Sequence, residues 1–115
     1  VYVSGNSLLQ CKSCSIEHNT ANSSGGGIAA DAGASMRLQN SSKILHNDAA
    51  LHGGGISATD AEVRMWDSEL RSNEAQEGGA VYWACSSESS GNCNATDMQR
   101  LTCTSNSAIG EFTAS

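Results

Sequence analysis

The sequence predicts an all-β chain wound as a right-handed parallel β-helix, a β-solenoid of about four coils with three short strands in each. Three observations carry that expectation. The first is an internal repeat. Asn19-Thr20-Ala21 leads to Gly25-Gly26-Gly27-Ile28, Asn47-Asp48-Ala49 to Gly53-Gly54-Gly55-Ile56, and Asn73-Glu74-Ala75 to Gly78-Gly79-Ala80-Val81, with Asn106-Ser107-Ala108 a fourth copy. Ile28 and Ile56 stand 28 residues apart, and Ile56 and Val81 stand 25 apart, a period in the solenoid range. The second is that Gly and β-branched residues punctuate every apolar stretch, and the alternation has mostly period two, which suits strands and not helices. The third is scarcity. Leu, Ile, Val and Phe number 17 of 115 residues, about 15%, below the roughly 20% at which disorder becomes a serious reading. So few aliphatic side chains can form a core only by recurring at matched places in a narrow stack.

The strands follow from the repeat. Val1 and Val3 alternate with Tyr2 and would share one face of a strand. Leu8-Leu9 opens a second strand, and Cys14 and Ile16 mark a third that ends at Asn19. The second coil repeats this with Ile28 and Ala30, Met36 and Leu38, Ser42 and Ile44, then Asn47. The third has Ile56 and Ala58, Val63 and Met65, Ser68 and Leu70, then Asn73. The fourth has Val81, a long insertion, Met98, Leu101 and Cys103, then Asn106. Coils of about 1–27, 28–55, 56–80 and 81–115 make one β-helix segment, expected to be part of a longer array or fibre. Each strand would pair with its equivalent one coil on, at roughly 4.8 Å. Like would then stack on like: Ile16, Ile44, Leu70 and Cys103 in one interior file, Val1, Ile28, Ile56 and Val81 in another.

The recurring polar residues have their own physical task. Asn19, Asn47, Asn73 and Asn106 are expected to stack as an interior ladder, each amide donating to and accepting from the next coil. Asn also tolerates left-handed backbone at a corner. The glycine pairs Gly26-Gly27, Gly54-Gly55 and Gly78-Gly79 are expected to supply positive φ where the chain turns into the next strand.

These motifs resemble the chlamydial polymorphic outer membrane proteins, which carry repeated Gly-Gly-Ala-Ile and Phe-x-x-Asn tetrapeptides. The first stands here as Gly25-Gly26-Gly27-Ile28, Gly53-Gly54-Gly55-Ile56 and Gly78-Gly79-Ala80-Val81. The second stands as Ile16-Glu-His-Asn19, Ile44-Leu-His-Asn47, Leu70-Arg-Ser-Asn73 and Cys103-Thr-Ser-Asn106, with no Phe in any copy. The resemblance covers nearly the whole chain and implies a β-helical passenger of a surface protein.

Five cysteines cannot all pair with one another. Cys85 and Cys93 bracket a polar insertion, and a disulfide there would restrict the unfolded loop by on the order of 2–3 kcal/mol; this is the favoured pairing, with Cys11–Cys14 next. Cys103 replaces an aliphatic residue and is expected to be a buried free thiol. Disulfides would place the chain outside the cytosol. A single Cys-x-x-Cys pair is weak evidence for zinc, and His46 repeats the position of His18 with no cysteine beside it, so no metal site is expected. Asn22, Asn40 and Asn94 open Asn-x-Ser/Thr sequons in expected loops and are candidate sites for covalent N-glycans, with no cofactor expected.

The formal charge of -6, with six basic residues scattered among twelve acids, argues against nucleic acid as a partner. No run reaches the ~20 apolar residues of a spanning helix, so no membrane insertion is expected in this segment. Catalysis of the polysaccharide lyase or glycosidase type needs paired carboxylates, or calcium beside a basic residue, under converging loops. Asp60, Glu62, Arg64 and Asp67 cluster, with Arg37 one coil below Arg64, yet they read as a solvated strand face. Trp66, Tyr82 and Trp83 are candidates for contact with sugar or a neighbouring subunit, although Trp83 falls where earlier coils have Ala30 and Ala58. The expectation is therefore a non-catalytic structural or adhesive segment, extracellular or at the cell surface. Its expected partners are copies of itself or adjacent coils, end to end, and cell-surface carbohydrate. A carbohydrate-active enzyme or a carbohydrate-binding module is the alternative.

Overall fold

A computed structural model describes residues 1–5, 7–31, 33–84, 97–99 and 102–108; for 97–99, 102, 107 and 108 only the backbone path is described. Every element among them is a strand. The first coil holds β1 (Tyr2–Val3), β2 (Leu8–Lys12), β3 (Ser15–Glu17) and β4 (Thr20–Ala21). The second holds β5 (Ile28–Asp31), β6 (Ser35–Gln39), β7 (Lys43–Leu45) and β8 (Asp48–Ala49). The third holds β9 (Ile56–Thr59), β10 (Glu62–Trp66), β11 (Glu69–Arg71) and β12 (Glu74–Ala75). The fourth holds β13 (Val81–Ala84), β14 (Asp97–Gln99), β15 (Thr102–Thr104) and β16 (Ser107–Ala108). Each strand pairs in parallel with its equivalent in the adjoining coil, giving four sheets of four strands. The fold is thus a parallel β-solenoid.

Each coil has four strands where the sequence suggested three. The extra one is the two-residue step just after the ladder asparagine, such as Thr20–Ala21 against Asp48–Ala49. Two residues show no alternation, so this strand has no period to read; stacking on a neighbouring coil alone makes it a strand.

The interior is a set of vertical files. Ile28 pairs with Ile56 and Ile56 with Val81, while Ile16, Ile44, Leu70 and Cys103 stack in register. On β6 and β10 burial alternates strictly, with Met36, Leu38, Val63 and Met65 at 0% exposure and their neighbours half-buried. Ala30, Ala34, Ala58 and Ala61 complete the core. Such small residues keep the coil narrow, so Ile28, Leu38, Ile44, Ile56, Val63 and Leu70 are fully covered and contribute roughly 1.5–3 kcal/mol each.

Cys103 is a free thiol, as expected, but departs from expectation in being exposed. It is the outermost described member of its file, and among the described strands Leu70 is its register partner, on one side. Partial burial of the thiol still raises its pKa above the ordinary value.

Candidate functional site

The asparagine file is the most ordered polar feature of the molecule. Asn47 Oδ1 accepts from the backbone N–H and from Nδ2 of Asn19, at 3.0 and 3.1 Å. Asn47 in turn donates N–H and Nδ2–H to Asn73 Oδ1, both at 3.0 Å, and Asn73 repeats this toward Asn106 Oδ1. The second Nδ2 hydrogen goes back one coil: Asn47 to Ile16 O, Asn73 to Ile44 O, and Asn106 to Leu70 O. Every hydrogen-bonding capacity of the two central amides is filled, which is what burial at 1% and 0% exposure demands.

The corner conformation lies one residue earlier than the sequence suggested. His18, His46, Ser72 and Ser105, immediately before each asparagine, have φ between 53° and 58°. The asparagines themselves are not left-handed, because their side chains are committed to the stack. His18 and His46 consequently protrude at the same corner, with rings stacked at 5.0 Å and 6°.

The glycines also act differently from expectation. Positive φ falls on Gly25, Gly53 and Gly78, so of the six named turn glycines only Gly78 has it. Gly26, Gly27, Gly54 and Gly55 are needed for close approach. A Cβ on Gly26 would lie 2.4 Å from Gly54 O, and one on Gly54 would lie 2.4 Å from Glu74 O. On Gly27 it would crowd Asn47 Nδ2 at 3.1 Å, and on Gly55 it would crowd Asn73 Nδ2 at 3.2 Å. The glycine wall and the amide ladder face each other across the coil, so each sequence motif exists to accommodate the other. Gly79 occupies the same row as Gly26 and Gly54 one coil on, donor and acceptor being Gly55 N and Gly79 O at 3.0 Å.

Cys11 and Cys14 are joined, with 5.7 Å between their Cα atoms. Cys11 fills a core slot in register with Leu38, and the Cys14 backbone N–H donates to Ser42 Oγ at the corner. In the next two coils the same corner is closed by buried serines, Ser42 donating to Gln39 O at 2.8 Å and Ser68 to Trp66 O at 2.9 Å. The disulfide is the first coil's covalent version of that hydroxyl clasp. Cys85 and Cys93 lie outside the described residues, as does the sequon Asn94; Asn22 and Asn40 are exposed.

On the outer face of the second sheet Arg37 pairs in register with Arg64, and Arg64 Nε lies 2.9 Å from Glu62 Oε1. Trp66 is half-buried on the same face. Trp83 stays on the core side: it sits above Ala58 and packs against the apolar cluster, which leaves less of it for a partner. Its Nε1 is buried with no hydrogen-bond partner among the described residues. Tyr82, pointing the other way, stacks on His52 with centroids 4.3 Å apart. Among the described residues no group of three or more His, Cys, Asp or Glu is placed to hold a metal.

A column not foreseen from the sequence is Ser24, His52 and Glu77, bridged in register just before the glycines. Ser24 Oγ is 3.3 Å from His52 Nδ1, and His52 Nε2 is 3.8 Å from Glu77 Oε2. Unlike residue types at equivalent repeat positions hid it.

In-register parallel strands, an interior amide ladder and a glycine wall define the class of protein, a β-solenoid assembled from short Asn- and Gly-marked repeats. Within that class, residues 13–31 match the model of the Chlamydia polymorphic membrane protein (Chlamydia_PMP) repeat. The matched stretch runs through Ile16-Glu-His-Asn19 and Gly25-Gly26-Gly27-Ile28, and so includes one ladder asparagine and one glycine wall. No curated protein and no solved structure matches the chain.

Proposed function

We propose that the chain is a non-catalytic structural or adhesive segment of a surface protein, extended by strand pairing with further β-helix coils at its two ends. The repeat it carries is that of a membrane protein family, and a disulfide at a coil corner suits an oxidising exterior.

The observation that carries the reading is the polarity of the ladder. Among the described residues Asn19 Oδ1 accepts nothing, while the backbone N–H of Asn106 donates to nothing, although each equivalent group between them is bonded. One end therefore offers an acceptor and the other a donor, and the bond that would join them is the bond already made three times inside. Outer edges of the end strands present the same complementarity along the backbone. A contact of this head-to-tail kind does not close on itself, and repeated it gives a filament.

Sedimentation of the purified chain over a range of concentrations tests this, with hydrogen exchange alongside. Association that grows with concentration supports pairing between copies. A monomer with fraying end coils supports pairing within a longer array. A monomer whose two end coils are both strongly protected would overturn the proposal.

A further inference from the structure

The outward face of the first sheet carries a notch for which the ladder gives no reason. Tyr2, Ala29, Ser57 and Tyr82 follow one another in register across β1, β5, β9 and β13. Two tyrosines thus flank two small residues over three strand steps, about 14 Å at the usual strand spacing. Tyr2 is 67% exposed, yet it is held: its hydroxyl donates to Asp31 Oδ1 and Oδ2 at 3.1 and 2.9 Å. Tyr82 is held by His52, the two rings inclined by 22°.

The recess next to Tyr2 has a volume of about 380 Å³. Its floor includes Ala29 and the buried Ser57, and Ser24, Asp31 and Thr59 contribute polar groups to its walls. Among the described residues no basic side chain lines it. Asp31 brings a carboxylate to its lining, and Glu77 lies 3.8 Å from Nε2 of His52, the ring on which Tyr82 stacks.

We infer that this notch binds a short neutral oligosaccharide laid across the strands. Pyranose rings are apolar on their faces and polar at their rims. Tyr2, which lines the recess, and Tyr82, at the far end of the same row with its other face on His52, offer aromatic faces for the first property, each held by a neighbour, so little rotamer freedom is lost on binding. Ser24, Thr59 and Asp31 answer the second, since hydroxyls both donate and accept and the carboxylate accepts twice. The volume falls in the lower part of the range for small-ligand sites. Negative charge without a compensating cation selects against acidic sugars. The small floor residues matter because any larger side chain at Ala29 or Ser57 would fill the recess.

The inference deepens the adhesive side of the proposed function but needs only formed coils, not their association at the ends. The two can therefore fail separately. The test is titration of the chain with cellotriose, maltotriose, chitotriose and, as the acidic comparison, trigalacturonate, followed by tyrosine resonances in NMR spectra. Saturable shifts with at least one neutral trisaccharide are expected, weakened about three- to ten-fold by Tyr2→Ala or by Tyr82→Ala. Tyr2→Phe, which keeps the ring and loses the Asp31 bond, should weaken binding less than Tyr2→Ala. Trp66→Ala, on another sheet, should leave it unchanged. Circular dichroism of each variant establishes that the coils persist. No shift with any neutral trisaccharide at millimolar concentration, tighter binding of trigalacturonate, or equal loss in Trp66→Ala would each overturn the assignment.

Discussion

Asn47 and Asn73 each hold together three coils, but their removal strands different groups. Replacing Asn73 with Leu leaves the N–H and Nδ2 of the buried Asn47 without an acceptor and Ile44 O without its Nδ2 donor. Stranded buried groups cost about 1–3 kcal/mol each, so Asn73→Leu should lose at least about 3 kcal/mol in urea unfolding. Asn47→Leu strands groups of Asn19, which is exposed and can turn to water; it should lose less. Asn22→Ala, at an exposed position outside the ladder, should be close to silent. An equal effect of all three would remove the ladder from any structural role. Gly55 gives a companion test. Its added Cβ would meet Ala80 O at 2.6 Å and Asn73 Nδ2 at 3.2 Å, so Gly55→Ala should destabilise by about 1–3 kcal/mol through overpacking alone.

Among the elements, the corners store the strain. Ser72 is held at φ 57° immediately before Asn73, a region that disfavours side chains with a Cβ by roughly 1–2 kcal/mol. Ser72→Gly relieves this but loosens the unfolded chain. The expected net result is a gain of up to about 1 kcal/mol, whereas the β-branched Ser72→Val should lose about as much; thermal unfolding of both reads the difference. The Cys11–Cys14 clasp closes a very short loop, and the loop-entropy relation gives it about 2 kcal/mol. Reduction should therefore lower stability by that amount and fray the first coil before the others, seen as faster hydrogen exchange at Ile16 and Asn19. Uniform loss across all coils would show that the disulfide braces the whole stack.

At the scale of the whole molecule, the ends decide behaviour. Cys103 lies exposed on the outermost described strand of its sheet, with a thiol pKa raised by partial burial. A raised pKa means less thiolate at a given pH, so alkylation should be slower than for a free cysteine near neutrality and should keep rising beyond the ordinary thiol range. If another coil pairs onto β15, it will cover this thiol. Alkylation should then slow as protein concentration increases, in step with sedimentation. A rate independent of concentration in a sample that does associate would place the contact elsewhere than at the fourth coil.

Much of this was legible in the sequence because a solenoid writes its tertiary contacts as a period. Spacings of 28 and 25 residues place Ile28, Ile56 and Val81 in one file, and spacings of 28 and 26 bring Asn19, Asn47 and Asn73 together. The parallel β-solenoid, its interior files and the register of Arg37 on Arg64 follow from that arithmetic alone. Tertiary structure decided what has no period or depends on distance between unlike groups. The two-residue fourth strand becomes a strand only through its neighbour above or below. Left-handed φ falls on His18, His46, Ser72 and Ser105 rather than on the asparagines, because the amides must point inward to reach one another. Glycine is required at Gly26, Gly27, Gly54 and Gly55 by backbone and amides one coil away or across the core, a clearance of tenths of an ångström that composition cannot express. The Tyr2–Tyr82 notch likewise exists only once four dissimilar residues are stacked. A repeat specifies which residues are neighbours; the shape of the space between them is fixed only when the coils close.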